Sequence, residues 1–381
     1  MSEVSSVPTE RSPSLPYMPA LDGLRGVAVL AVLASHWIPQ ANRFGHVGLA
    51  GVYVFFVLSG FLITSLLLDA RDAREAGAVT LGAALRSFFG RRFLRIFPAY
   101  YFALIGSVLL WPKMFSADLP WNLAYLGNMR AVLLGKTTSI NHFWSLAVEE
   151  QFYLFWPFVV MLVPRRDLFK VVTLAVVISP VWRCVAIAMS WRHIVYTYPV
   201  WSNLDSIGLG ALLAVGRRGE RGERMHWGSW VARAGQLGGV LWATCAVSTY
   251  VVLGTFRLSR PGRVYAAFFI VYPLAVSLVG AYVVARAAEA GVESRSALAR
   301  VLGSRPLRAV GVVSYGVYVY HFFVQGLVDI GSGRYLGAPL PPVLRLFVLL
   351  GATLAFAAVS WFVLERPARA WGRRLRRASG A

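Results

Sequence analysis

The feature that most constrains this chain is the recurrence of apolar stretches about twenty residues long. Ten follow one another: 20–38, 47–68, 97–115, 143–163, 168–191, 198–216, 230–254, 264–286, 307–328 and 340–364. A helix needs roughly 20 apolar residues to cross the ~30 Å hydrocarbon core of a bilayer, and lipid admits only backbones that satisfy their own hydrogen bonds. The pattern predicts an all-α integral membrane protein, a bundle of about ten transmembrane helices. Composition agrees: 57% of the 381 residues are hydrophobic, 14% are charged and the mean hydropathy is +0.59, against about 45–50% apolar and about 25% charged in soluble domains. An ordinary soluble enzyme and a disordered chain are both excluded. The sixth and ninth stretches are the weakest. They carry Asp205, His321 and several glycines, as spans facing a bundle interior do.

The chain is also strongly basic, with 38 Lys+Arg against 17 Asp+Glu and a net charge of +21. In a soluble protein that excess would point to nucleic acid. Here the arginines sit in short gaps between apolar stretches, as in loops that face anionic lipid, so the bilayer and not nucleic acid is the expected partner. The gap 69–96 holds Arg71, Arg74, Arg86, Arg91, Arg92 and Arg95; the gap 217–229 holds Arg217, Arg218, Arg221 and Arg224; the gap 287–306 holds Arg295, Arg300 and Arg305. Three of the opposite gaps carry only Arg43, Arg192 and Arg334. The positive-inside rule then predicts cytoplasmic termini, in keeping with an even number of spans. Residues 1–19 read as a disordered cytoplasmic tail, 20–364 as the membrane domain and 365–381 as a basic cytoplasmic tail too short to fold. Within the gap 112–142, residues 121–134 suit a short interfacial or re-entrant helix. Cys184 and Cys245 lie inside apolar stretches with no partner at metal spacing. They read as two small core residues, with neither a disulfide framework nor a metal site.

Several polar residues interrupt the apolar pattern. Arg25 and His36 are eleven residues apart in the first span, which puts them on one helix face and roughly 16 Å apart along the axis. They are either functional groups or a snorkelling arginine and an interhelical hydrogen bond. The second span contains Ser59-Gly60, a pair suited to close helix packing. Phe88 to Pro98 is amphipathic and predicts an interfacial helix that ends where Pro98 begins the third span. Arg92 and Arg95 share a face of it, and two guanidiniums so placed can clamp a phosphate or meet lipid headgroups. In the fourth span Ser145 and Glu149 share a face while Glu150 is turned away by about 100°; the inward carboxylate is either functional or half of a buried ion pair. Ser314 and His321 again share a face, and the tyrosines between them suit an interfacial belt or a pocket wall.

Together these motifs resemble the acyltransferase-3 family of integral-membrane acyltransferases over about residues 17–370. The matching elements come in order: Leu-Asp-Gly-Leu-Arg with His36 eleven residues after Arg25, Val-Phe-Phe-Val-Leu-Ser-Gly-Phe-Leu, Arg92 and Arg95 before Ile-Phe-Pro, Trp144 to Tyr153, Asp205 before Gly208, Ser-Tyr-x-x-Tyr-x-x-His at Ser314 to His321, and Glu365-Arg-Pro. The resemblance implies ten core spans in a bacterial cytoplasmic (inner) membrane. It implies transfer of an acyl group, chiefly acetyl, from acyl-CoA as co-substrate to a hydroxyl of a carbohydrate, glycolipid or small glycoside, with no bound cofactor. His36 would be the general base, Glu149 its orienting partner, and Arg25 a group steadying the pantetheine arm or the oxyanion. Arg92 and Arg95 would hold the donor phosphates. Trp144, Ser145, Asp205, Ser314, Tyr315 and His321 would contact the acceptor or support the fold. Tyr53 and Asn203 depart from the family pattern, which expects an acid and an arginine there. The chain is expected to act alone, without the hydrolase-like extra domain that some members of that family carry. Acylation of a small intracellular product such as a macrolide, and a transporter or flippase, are the alternatives.

Overall fold

The computed structural model describes residues 17–38, 40–41, 46–218, 221–253, 263–289 and 296–378, and every regular element among them is helical. The principal helices are α1 (Pro19–Trp37), α2 (Val47–Glu75), α3 (Leu81–Leu110), α4 (Phe143–Leu162), α5 (Arg165–Ala188), α6 (Leu204–Gly216), α7 (Arg221–Leu253), α8 (Arg263–Glu289), α9 (Arg305–Val312), α10 (Ser314–Leu336), α11 (Pro342–Ser360) and α12 (Arg366–Ala378). Each of the ten apolar stretches falls for the most part on one or two of them. Five helices among the described residues are long and apolar enough to cross a membrane: α2, α3, α5, most of α8, and α11 with its continuation. The pair α9–α10, bent by 71° at its break, makes a sixth. Helices α1 and α4 are not among these, because Asp22, Arg25 and His36 in one and Glu149 to Gln151 in the other lower their hydropathy.

Large apolar side chains point outward all round the bundle, among them Leu109, Leu162, Leu174, Val251 and Phe347. Water does not tolerate so much exposed apolar surface on a monomer, and a bilayer does. The chain is a multi-pass membrane protein.

Helix α2 is the central post. It packs on α1, α4, α6 and α8. Its crossing with α6 is close enough to require glycine on both sides. A Cβ at Gly60 would stand 1.8 Å from the Ile207 carbonyl oxygen, and one at Gly210 would stand 2.0 Å from the Val57 carbonyl oxygen. The Ser59-Gly60 pair is thus a packing seam, as its composition suggested. Gly60→Val is expected to lower the midpoint of thermal unfolding in detergent markedly, through overpacking worth about 1–3 kcal/mol or more. Gly82→Ala, where a Cβ meets nothing within 4 Å, should leave the midpoint near that of the parent. Equal midpoints for the two variants would show that the seam is not tight.

One end of the bundle carries most of the charge. Asp69 and Asp72 of α2 pair with Arg218, while Asp72 and Glu75 pair with Arg165. Arg71 is buried and donates to the carbonyls of Val160 (2.7 Å) and Val163 (2.8 Å) at the end of α4. Part of the arginine excess is therefore structural: it closes the carbonyl end of one helix and ties α2, α4, α5 and the residues after α6 together.

Four expectations change. Residues 88–98 do not form a separate interfacial helix: α3 runs through Pro98 as one 30-residue helix. Proline deletes a single backbone bond there, and neighbouring helices make that tolerable. The basic tail does fold. After a π-helical turn at Trp361–Glu365 the chain continues as α12, which lies on α3 with Gly372 against Leu94. The segment 121–134 is two short helices, Leu119–Leu123 and Gly127–Leu134, with Tyr125 at φ 54° between them. Cys184 is exposed on α5 and Cys245 is half-buried, so neither is a fully buried core residue. Residues 1–16, Arg43 and Arg295, which carried parts of the topology argument, lie outside the described residues.

Candidate functional site

Further along α2 from the basic end, at the level of Val52 to Ile63, the helices diverge around a cavity whose atom-free space, open solvent included, is about 830 Å³. Helix α1 contributes Arg25, α3 contributes Arg92 and Arg95, and α4 contributes Ser145, Glu149 and Glu150. Ser314, Tyr315 and Tyr318 of α10 complete the polar wall, with Ser59 of α2 and Tyr153 of α4 beside them. Three guanidiniums from two helices thus face two carboxylates inside a largely apolar shell.

Each polar group is held by its neighbours. The Arg25 guanidinium is 3.3 Å from an oxygen of Asp22, one turn earlier on α1, and Asp22 also accepts from the Tyr17 hydroxyl at 2.7 Å. The Arg92 guanidinium lies 5.2 Å from the centre of the Tyr153 ring, within cation–π range. Tyr153 is anchored in turn by a hydrogen bond between its hydroxyl and that of Ser59. The Tyr315 hydroxyl donates to the Ile96 carbonyl at 2.9 Å, which locks α10 against the arginine-bearing turn of α3. Glu149 stands in the field of Arg92, Arg95 and Arg25 together. Ser314 opens α10 just after the 71° break. The amide end of that helix therefore meets the cavity, and its partial positive charge adds to that of the arginines. A site built this way favours an anion with several oxygens, because guanidiniums grip such groups by paired hydrogen bonds.

A second cluster lies beyond the cavity. His36 Nδ1 is 2.9 Å from His321 Nε2, and the two rings stack at 5.0 Å with 10° between their planes. The His142 ring stands edge-on to His321 at 4.8 Å, and its Nε2 donates to the Val319 carbonyl at 3.2 Å. Phe322 packs against all three imidazoles. Two rings that hydrogen-bond each other do not chelate a metal through those atoms, and no group of His, Cys, Asp or Glu among the described residues is placed to hold one.

The cavity and the imidazoles are neighbours. Ser145 and Tyr318 line the cavity, and their hydroxyls share a 2.6 Å hydrogen bond. The Tyr318 hydroxyl also donates to the His142 carbonyl at 3.0 Å. Ser145 lies three residues after His142, and Tyr318 lies three before His321. On both α4 and α10, cavity and imidazoles are thus about one helical turn apart.

The structure sorts the predicted residues. Arg25, Arg92, Arg95, Ser145, Glu149, Ser314 and Tyr315 meet in the cavity; His36 and His321 meet in the imidazole cluster. Glu149 does not orient His36. The partner of His36 is His321, while Glu149 belongs to the cavity arginines. Nor do Arg25 and His36 share one chamber: the shared face holds, but eleven residues of rise separate their levels. Trp144 stacks on Tyr198 at 4.9 Å, outside the cavity wall. Asp205 is fully buried and paired with Arg183, away from both clusters. Tyr53 and Asn203 do not line the cavity either. Asn203 caps the turn before α6 by donating to the carbonyls of Thr197 (2.8 Å) and Pro199 (2.9 Å). Sequence reasoning turned Glu150 away from the site, yet it lines the cavity beside Glu149. Tyr318 is one of the tyrosines it read as a belt or a pocket wall, but it passed over His142 and Arg183. An arginine in the middle of an apolar stretch was the available signal for the last.

The acyltransferase-3 family profile, described as an acyltransferase domain, matches residues 18–362. The chain belongs to the acyltransferase-3 family. Among its relatives, peptidoglycan O-acetyltransferase OatA of Listeria monocytogenes is 26% identical over 93% of this chain and 56% of its own length. The putative peptidoglycan O-acetyltransferase YrhL of Bacillus subtilis is 28% identical over 93% of this chain and 55% of its own. A putative O-acetyltransferase of Staphylococcus aureus, SAS0844, is 27% identical over 93% and 58%. This acyltransferase-3 chain thus spans just over half the length of the curated relatives it matches. No solved structure matches it significantly.

Proposed function

We propose that the chain is a membrane O-acyltransferase that moves an acyl group, most simply acetyl, from acyl-CoA to a hydroxyl of a carbohydrate. The observation that carries this reading is the convergence of Arg25, Arg92 and Arg95 in one cavity that ends one helical turn from His36, His142 and His321. Arg92 and Arg95 hold the phosphates of the donor at the basic end, which on the positive-inside rule is cytoplasmic, with ten spans and both termini on that side. The pantetheine arm extends past Ser145 and Tyr318 toward the imidazoles. His36 takes the proton of the acceptor hydroxyl, the oxygen attacks the thioester carbonyl, and the CoA thiolate leaves with that proton. Arg25 steadies the arm at the level where α1 meets the cavity. Two relatives carry names that specify peptidoglycan, and a cell-wall sugar hydroxyl is accordingly the first acceptor to try.

Cells carrying the parent chain, His36→Ala or no chain separate the outcomes. Mass spectrometry of wall glycans, glycolipids and small glycosides is expected to show acyl increments with the parent only, with loss of about 10²-fold or more for His36→Ala. An equal increment in His36→Ala would remove that residue from the chemistry. No increment in any strain, together with no binding of radiolabelled acetyl-CoA to purified protein, would favour transport over transfer.

A further inference from the structure

Two of the three imidazoles, His36 and His321, are linked in an order that the backbone dictates. His321 Nδ1 lies 2.7 Å from the carbonyl oxygen of Tyr318. A carbonyl only accepts, so His321 Nδ1 carries a hydrogen. The ring is fully buried among His36, His142 and aromatic side chains, where an unpaired positive charge is costly. A neutral ring with hydrogen on Nδ1 leaves a lone pair on Nε2, the atom 2.9 Å from His36 Nδ1. The hydrogen in that contact therefore belongs to His36. His36 in turn carries its proton on Nδ1 and presents Nε2 as a base.

We infer that His321 is the positioning residue of His36: it fixes the His36 tautomer and ring plane and leaves Nε2 free to accept a proton. This rests on the acyl-transfer reading for its catalytic meaning, though not for its geometry. In Ser-His-Asp sites a carboxylate receives the Nδ1 hydrogen of the base. Here a second imidazole does so, and a main-chain carbonyl fixes that imidazole in turn. The arrangement suits a low-dielectric setting, since it orients the base without burying a negative charge beside it. When His36 becomes cationic, its Nδ1–H bond to His321 strengthens. No covalent change occurs at His321, and the proton that His36 gains at Nε2 is passed to the leaving thiolate.

The test reads the tautomer directly. Full-length protein labelled with ¹⁵N-histidine is placed in lipid nanodiscs at a pH where the rings are neutral, and the His36 signals are assigned by their loss in His36→Ala. The parent should show the His36 hydrogen on Nδ1. In His321→Ala it should move to Nε2, the site a free neutral side chain prefers. His321→Gln, whose amide oxygen can occupy the place of Nε2, should restore Nδ1. In parallel, acetyl transfer from acetyl-CoA to a disaccharide of N-acetylglucosamine and N-acetylmuramic acid should fall about tenfold or more in kcat for His321→Ala with KM little changed, and recover in His321→Gln. A merely structural role would not move the tautomer and would not be rescued by glutamine. The inference is overturned if the parent carries the hydrogen on Nε2, or if His321→Ala leaves it on Nδ1. If the tautomer behaves as expected but the parent transfers no acetyl group to any acceptor, the acyl-transfer reading fails while the positioning role stands.

Discussion

Replacing Arg92 and Arg95 together with alanine is expected to weaken acyl-CoA binding by about 10²-fold or more, since each charge-assisted hydrogen bond is worth about 1.5–3 kcal/mol. On the proposed reading these groups hold a part of the donor that does not react, so the loss should appear in KM for acyl-CoA, with kcat for bound donor changed far less. Arg334→Ala, an exposed arginine on α10 away from the cavity, controls for charge in general. Purified protein in nanodiscs of neutral lipid separates this role from attraction to anionic headgroups, because the KM effect should persist there. An unchanged KM in the double variant would return Arg92 and Arg95 to the role of lipid contacts.

The largest effect on stability is expected at Asp205. Arg183 and Asp205 are both almost fully buried and pair through Arg183 Nη2, while Arg183 Nη1 donates to the Ser202 carbonyl at 2.8 Å. Removing one partner leaves an uncompensated charge in the interior, which costs about 3–5 kcal/mol. Asp205→Ala should therefore unfold at a much lower temperature in detergent, or fail to accumulate in the membrane. The double substitution Arg183→Leu with Asp205→Leu should regain much of the loss, because an apolar pair of similar volume removes the charge together with its partner. If the single and double variants melted alike, the pair would not be a stability element. Asp205 read from sequence as an acceptor contact or a support, and its geometry selects the support.

The sequence made faces legible and left their meetings hidden. Arg25 and His36 do share a face of α1, as 100° per residue demands, and Arg92 and Arg95 do point the same way from α3. Which helix each face would meet depends on α10, whose contacts lie 285 positions from His36 and 219 from the arginine-bearing turn of α3, and no spacing rule reaches that far. The error about Glu149 and His36 has the same origin. Glu149 is half-buried and His36 is exposed at a different level, and a helical wheel projects away the axial coordinate that separates them. The interfacial helix at 88–98 was lost because Pro98 marks a boundary in water and only a missing hydrogen bond inside a bundle. His142 was overlooked because it precedes α4 as the residue before its first turn, where a histidine reads as punctuation. The polar residues that build the site also dilute the hydropathy of α1 and α4, so the spans nearest the chemistry are those that composition recognises least.

The single turn that separates Ser145 from His142 and Tyr318 from His321 changes what the bilayer means at this place. A hydrocarbon slab is about 30 Å thick, and a nucleotide-sized polyanion does not traverse it. From Ser145 and Tyr318 in the cavity wall to His142 and His321 is about 5 Å along the helices, the rise of one turn. A group of a few uncharged atoms spans that distance on the end of a flexible arm, while every charge on the carrier stays in the compartment it came from. For the proposed reaction such a protein would need no passage for the carrier and no break in the electrical seal of the membrane, only a thin place.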